Sequence, residues 1–249
     1  MRIIISPAKK MNADADGLAP EGLPLFLPEA RRLLAALQAL SDGELQTLWR
    51  CSDALAAENI GQLRRMDLLR GLTPAILAYD GIQYRYMAPG VFEERHYAYL
   101  REHLRILSGF YGLLRPFDGV TPYRLEMQAA LTADGCRNLY AFWGGKLAEQ
   151  LASETGLVVN LASGEYSEAV RPWLPERVRF LTCVFGQRQG GRIAEKGTLC
   201  KMARGRMVRW MAENGVERPE ALCSFAELGY RYSPEDSLPD RLVFLKGDL

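Results

Sequence analysis

Between Leu107 and Met127 the chain reads LSGFYGLLRPFDGVTPYRLEM, twenty-one residues holding three glycines, two prolines, two arginines and a glutamate. Glycine admits backbone conformations that other residues avoid, and proline fixes φ and removes a donor. Neither a long helix nor a central strand can run through such a segment. A long ordered loop is expected instead. Loops of that length inside compact domains are more often functional than merely connecting, so its arginines and glutamate are candidate site residues.

The flanking sequence alternates between two hydrophobic periods. Ile3 to Ile5 reads as a short buried strand, ended by the turn Ser6-Pro7-Ala8-Lys9-Lys10, which leaves two lysines at a strand end. Residues 12 to 27 have no clear period and read as loop, and from Pro28 the stretch PEARRLLAALQAL places Leu33, Leu34, Leu37 and Leu40 on one helical face. Ser41-Asp-Gly-Glu44 has the form of a capping box, and LQTLWRCSDALAAENIGQLRRM reads as two short helices broken near Cys51-Ser52, with Ser52 capping the second. The region from about 29 to 70 is therefore helical, a possible subdomain within a single domain spanning 1–249.

From Thr73 the pattern changes. PAILAY reads as a strand, FEERHYAYLREHL as a helix and RILS as a strand; GKLAEQLASE, LVVNLAS, RVRFLTCVFGQ, a helix at about 197 to 213 and RLVFLK follow. Strands and helices in this alternation predict a mixed α/β (α+β) fold, a mixed sheet surrounded by helices. At 48% hydrophobic and 24% charged, with no apolar run of membrane-spanning length, the composition is that of a soluble globular protein. The first residues have neither the apolar region nor the cleavage site of a secretory signal, so a cytoplasmic location is expected. The five cysteines are scattered and never in a Cys-x-x-Cys pair, which predicts free thiols. A net charge of +1 carries no global signal for nucleic acid, so any polyanion site must come from local clustering.

Three segments offer such clusters. On the helix at 197 to 213, Leu199, Ala203, Met207 and Trp210 share one face, while Lys201, Arg204 and Gly205 fall roughly opposite. Glycine inside a helix costs about 1 kcal/mol relative to alanine, which points to the close approach of another group; a solvated basic face is the alternative. The segment at 107–127 adds Arg115, Tyr123, Arg124 and Glu126. Arginine suits carboxylate or phosphate, and Glu126 could pair with an arginine or handle protons. NLASGEY supplies Asn160, Glu165 and Tyr166 at a strand end, where ligands of open α/β sheets sit. No nucleotide fingerprint, nucleophile elbow, cofactor signature or metal-ligand spacing is present.

The stretches ISPAK, LSGFYGLLRPFDGVTPYRLEM, LYAFWG, NLASGEY, KMARGRM and Gly229-Tyr230 recur in order along the chain, and in them it resembles the YaaA family of bacterial peroxide-stress proteins. The resemblance implies a cytosolic protein that protects against hydrogen peroxide by lowering unincorporated iron, with a positively charged cleft in a fold of mixed helix and sheet. Carried over, the cleft would hold Ser6, Lys9, Arg115, Tyr123, Arg124, Glu126, Asn160, Glu165, Tyr166, Lys201 and Arg204, with Lys9, Tyr123 and Glu126 as the catalytic candidates. It also implies binding of double-stranded DNA through a helix-hairpin-helix-like segment at about 40 to 65, where Arg50, Arg64 and Arg65 could meet phosphates. Two functions stay open: a DNA-binding protein acting without turnover, or an enzyme whose basic cleft holds an anionic small molecule, a nucleotide or carboxylate. No cofactor is named by either.

Overall fold

The computed structural model describes residues 1–13 and 17–247; residues 14–16, within the stretch expected to be loop, and the last two residues lie outside that description. Its centre is an eight-stranded sheet. The strands are β1 (Arg2–Ile5), β2 (Leu104–Ser108), β3 (Gly112–Leu114), β4 (Leu157–Leu161), β5 (Arg179–Gln189), β6 (Arg192–Ala194), β7 (Tyr230–Tyr232) and β8 (Arg241–Lys246). They lie in the order β7-β8-β5-β4-β1-β2-β3, with β6 paired to the far end of β5. The inner strands β8, β5, β4, β1 and β2 are mutually parallel, while β7, β3 and β6 add antiparallel edges. Parallel strands are covered on both faces and read as unbroken apolar runs. Ile3, Ile4, Ile5, Val158 and Val159 accordingly have no exposed surface.

Seven helices matter for the site: α1 (Leu27–Gln38), α2 (Asp42–Trp49), α3 (Asp53–Arg64), α4 (Ile82–Met87), α5 (Glu94–His103), α6 (Lys146–Glu154) and α7 (Gly197–Asn214). The capping box opens α2 as expected: Ser41 N and Oγ donate to Glu44 Oε2 at 2.8 and 2.6 Å, and Glu44 N donates back to Ser41 Oγ at 3.4 Å. Ser52 is the N-cap of α3, but its side chain makes no capping bond. Leu33, Leu37, Leu45, Trp49 and Leu63 join the same buried cluster as β1 and β2, so the helical segment packs on the sheet. The finer expectation of a helix-hairpin-helix is not established by this arrangement. The link between α2 and α3, Arg50-Cys51-Ser52, has no glycine and places Arg50 in the left-handed region at φ 46°.

Two sequence readings are corrected. PAILAY is not a strand: Thr73–Pro74 and Tyr79–Asp80 make two-residue pairings, and Ala75–Ala78 between them is a helical turn. A short apolar run cannot distinguish a buried strand from a buried helical turn. The segment at 107–127 is largely core rather than a surface loop. β2 reverses into β3, and Gly119–Val120 pairs with Thr73–Pro74. Its glycines serve close packing: at Gly112, φ is +75° and a Cβ would stand 2.8 Å from the Trp143 ring.

Hydroxyl groups lock this buried segment. Ser108 Oγ accepts from Phe110 N at 3.2 Å and Tyr111 N at 2.8 Å, and lies 2.7 Å from Tyr123 OH, which is 2.9 Å from Tyr79 OH. A hydroxyl has two lone pairs and one proton, so Ser108, whose lone pairs are both taken, donates to Tyr123, and the Tyr123 and Tyr79 hydroxyls share one further bond. Burial pushes the Tyr79, Tyr84 and Tyr123 phenols well above their ordinary value near 10. Elsewhere α7 lies directly on α4, and a Cβ at Gly205 would overlap the carbonyl oxygen of Gln83. The close approach expected at that glycine is thus packing against backbone, and the supposed basic face is largely covered: Gly205 is buried and Arg204 half-buried.

Two outcomes follow for stability. Gly205→Ala forces α7 off α4 and is expected to cost about 3 kcal/mol, the upper range for overpacking a core, read as a lowered denaturant midpoint with unchanged slope. The buried phenols are neutral in the folded state, so their contribution is complete below the unfolded value near 10 and is lost as pH rises beyond it. Phenolate absorbance from Tyr79, Tyr84 and Tyr123 should appear only together with loss of circular dichroism in alkali.

Candidate functional site

The chain approaches β1 from two directions. β2 and β3 lie on one side of it, and β4, β5 and β8 on the other. Such a reversal opens a crevice beyond the carboxyl ends of parallel strands, the usual ligand position in open α/β sheets. Ser6, just after β1, and Ser163, just after β4, form its floor. Ser163 N donates to Ser6 Oγ at 2.8 Å, the two hydroxyls are 3.2 Å apart, and Tyr84 OH donates to the Ser6 carbonyl at 3.0 Å.

A cavity of about 380 Å³ opens above this floor. The turn after β1 brings Ser6 and Lys9 to it, the folded-back segment Tyr123, Arg124 and Glu126, the turn after β4 Glu165 and Tyr166, and the first turns of α7 Lys201 and Arg204. Nine of the eleven cleft residues named from the sequence therefore converge. Arg115 and Asn160 do not line the cavity. Arg115 closes on Asp118, with Nε and a terminal nitrogen both 2.8 Å from Oδ1. Asn160 Oδ1 accepts from Ala162 N at 3.0 Å and shapes the turn after β4.

Of the three arginines named for DNA, Arg64 staples the α1–α2 corner, donating to the carbonyls of Gln38 and Leu40 and pairing with Asp42 at 3.2 Å. Arg50 and Arg65 are exposed. Sequence reasoning missed Asp80, Gln83 and Tyr84, which line the cavity from the stretch just after the one misread as a strand. Once α4 is recognised, Gln83 falls on the helix that Gly205 abuts. That glycine was the only signal for it.

Five cations, Lys9, Lys10, Arg124, Lys201 and Arg204, face three carboxylates, Asp80, Glu126 and Glu165. Asp80 is committed: Arg85 at 3.0 Å and Lys10 at 2.7 Å hold its carboxyl below the usual carboxylate range. Glu126 stands between Lys9, 2.8 Å away but not aligned as a hydrogen bond, and Arg124 at 3.6 Å. Arg204 reaches Glu195 only at 3.7 Å. Among the described residues, seven buried side-chain polar atoms have no hydrogen-bond partner, and four of them, Gln83 Nε2, Arg124 Nε, Glu126 Oε1 and Arg204 Nε, belong to residues lining this cavity. Each such atom costs about 1–3 kcal/mol, so the chain alone leaves the crevice incompletely satisfied. The arrangement can bind an anion on guanidinium and ammonium groups and offer Glu126 or Lys9 for proton transfer. Burial keeps Tyr123 and Tyr166 protonated, as donors rather than bases.

Among the described residues, no three His, Cys, Asp or Glu side chains converge as a metal site, and no helix is long and apolar enough to cross a membrane. The family model for Peroxide stress protein YaaA matches residues 1–236. A UPF0246 protein of Desulfitobacterium hafniense is 50% identical over 246 residues, covering 99% of this chain and 98% of that protein. UPF0246 proteins of Pediococcus pentosaceus and Lactiplantibacillus plantarum are 49% and 47% identical, over 249 and 245 residues, covering 100% and 98% of this chain and 99% of each relative. With its crevice at the sheet reversal and a match over nearly its whole length, the chain belongs to the YaaA family of peroxide stress proteins.

Proposed function

We propose that the protein acts in peroxide defence through this crevice, as an enzyme on an anionic small molecule of the nucleotide or carboxylate class, and that this activity lowers unincorporated intracellular iron. The concentration of unpartnered buried polar atoms around one cavity carries the reading. Native proteins pair nearly all such groups, and three of the four, Gln83 Nε2, Arg124 Nε and Arg204 Nε, are donors of residues that line the cavity. Arg124, Arg204 and Lys201 hold the anion, the Ser6–Ser163 junction fixes its position relative to the strands, and Glu126 with Lys9 handles protons. Lys9→Ala and Glu126→Gln are each expected to abolish peroxide protection and the drop in chelator-accessible iron in cells that depend on this protein, whereas Arg115→Ala keeps both. Full protection by both cleft variants would remove the crevice as the working part.

A DNA-binding reading is favoured by one observation: Arg50 and Arg65 are exposed on the helical segment and make no ion pair among the described residues. Bound to backbone phosphates, the protein would show little sequence preference. Its affinity for duplex DNA would fall with salt at a slope of about −0.9 per phosphate contacted. Changing Arg50 and Arg65 together to Ala should flatten that slope by about 2; an unchanged slope, or binding that survives high salt, defeats the reading.

A further inference from the structure

A second cavity, about 590 Å³, lies against the first and shares Lys9, Glu126 and Glu165 with it. The Lys9–Glu126 contact lies where the two meet. Each chamber alone is within the range of small-molecule sites, about 300–1,000 Å³. The outer chamber is built from the helical segment: α2 contributes Gly43, Leu48 and Trp49, Arg50 stands at its end, and Gln128 and Ala129 close it from the chain beyond Glu126.

We propose that the ligand of these cavities is a phosphate monoester carrying a flat heterocycle, of the nucleoside monophosphate class, with the phosphate in the inner chamber and the heterocycle in the outer one. The proposal rests on the anion-binding reading of the inner chamber. Five cations against three carboxylates leave a surplus of two positive charges there, which matches the charge of about −1.5 to −2 on a phosphate monoester at neutral pH better than that of a monocarboxylate. The outer chamber differs in kind. It combines apolar walls, Leu48, Trp49 and Ala129, with Thr47, Gln128, the carboxylate of Glu44 and the guanidinium of Arg50, as suits a ring with an apolar face and hydrogen-bonding edges.

A further observation points to an occupant. Arg50 ends α2 in the left-handed region, at φ 46° and ψ 52°, where glycine is the ordinary residue. Its side chain makes no ion pair among the described residues, and a planar guanidinium at the rim is suited to stacking on a ring. Lys9, with 69% of its side chain exposed, stands between the chambers and can follow the ligand joining them.

Gly43 provides the test. It lines the outer chamber, and a Cβ built there meets nothing within 4 Å, so Gly43→Leu narrows the chamber without a clash at Cβ. Calorimetric titrations of both proteins would use adenosine, guanosine, cytidine and uridine 5′-monophosphates, ribose 5-phosphate and inorganic phosphate. At least one nucleotide should bind the natural protein about fivefold or more tighter than ribose 5-phosphate, the lower end of what stacking a base contributes. Gly43→Leu should bring that nucleotide to the level of ribose 5-phosphate without altering ribose 5-phosphate itself. Equal affinities in the natural protein, or a nucleotide preference that Gly43→Leu leaves intact, overturn the outer chamber and leave the anion site standing. If no phosphate compound binds, this proposal falls, while the carboxylate form of the anion reading stands until Lys9→Ala and Glu126→Gln are shown to keep full protection.

Discussion

The ends of β1 and β4 are joined by one short hydrogen bond, Ser163 N–H to Ser6 Oγ at 2.8 Å, and the geometry of the crevice follows from it. Parallel ladders fix both strands, so the turns leaving them have little freedom. The Ser6 carbonyl is taken by Tyr84 OH, which ties α4 to the same point. α4 in turn is fixed against α7 at Gly205, where helix and backbone touch with no room for a methyl group. Lys201 and Arg204 sit one turn or less from that contact, so the cations of α7 are positioned relative to β1 through two helices. A disturbance at Gly205 therefore reaches the crevice without touching any charged residue.

Charge alone does not mark the site. A second ion cluster sits at the amino ends of the strands, where Glu154 receives Arg2 Nε at 2.9 Å, an Arg105 terminal nitrogen at 2.7 Å and Gln150 at 2.8 Å. Burial works to raise the Glu154 carboxyl, but these donors outweigh it and hold the group below the usual carboxylate range. No member of that cluster is left without a hydrogen-bond partner. In the crevice the same residue types stand at 3.6 and 3.7 Å, with Arg124 Nε, Arg204 Nε and Glu126 Oε1 unpartnered. Fully paired ions are structural, whereas loosely paired ones in a cavity hold binding capacity in reserve.

The sequence made β1, the helices from α1 to α3 and the long helix α7 legible because each has a strong period, a cap or a run of β-branched residues. It failed where meaning lay in what a residue touches. PAILAY is apolar in either conformation, and only its neighbours decide that Ala75–Ala78 coils. The glycines of the 107–127 segment looked like loop-makers, yet Gly112 is there for the Trp143 ring. Arg115 and Arg124 are indistinguishable as arginines in one segment. Asp118, three residues beyond Arg115, offered a local partner, and that is where its guanidinium goes. Gly205 did announce a close approach, although its partner Gln83 lies too far away in sequence to be named.

Lys9 and Arg124 share Glu126 as a partner but answer differently to a ligand. The Arg124 side chain is 13% exposed and that of Glu126 19%, so both are held by their surroundings, whereas Lys9 is 69% exposed. An exposed lysine–carboxylate pair is worth at most about 1 kcal/mol, and the Lys9–Glu126 contact also lacks hydrogen-bond alignment. An incoming anion can take over Lys9 at little cost while Arg124 stays in place.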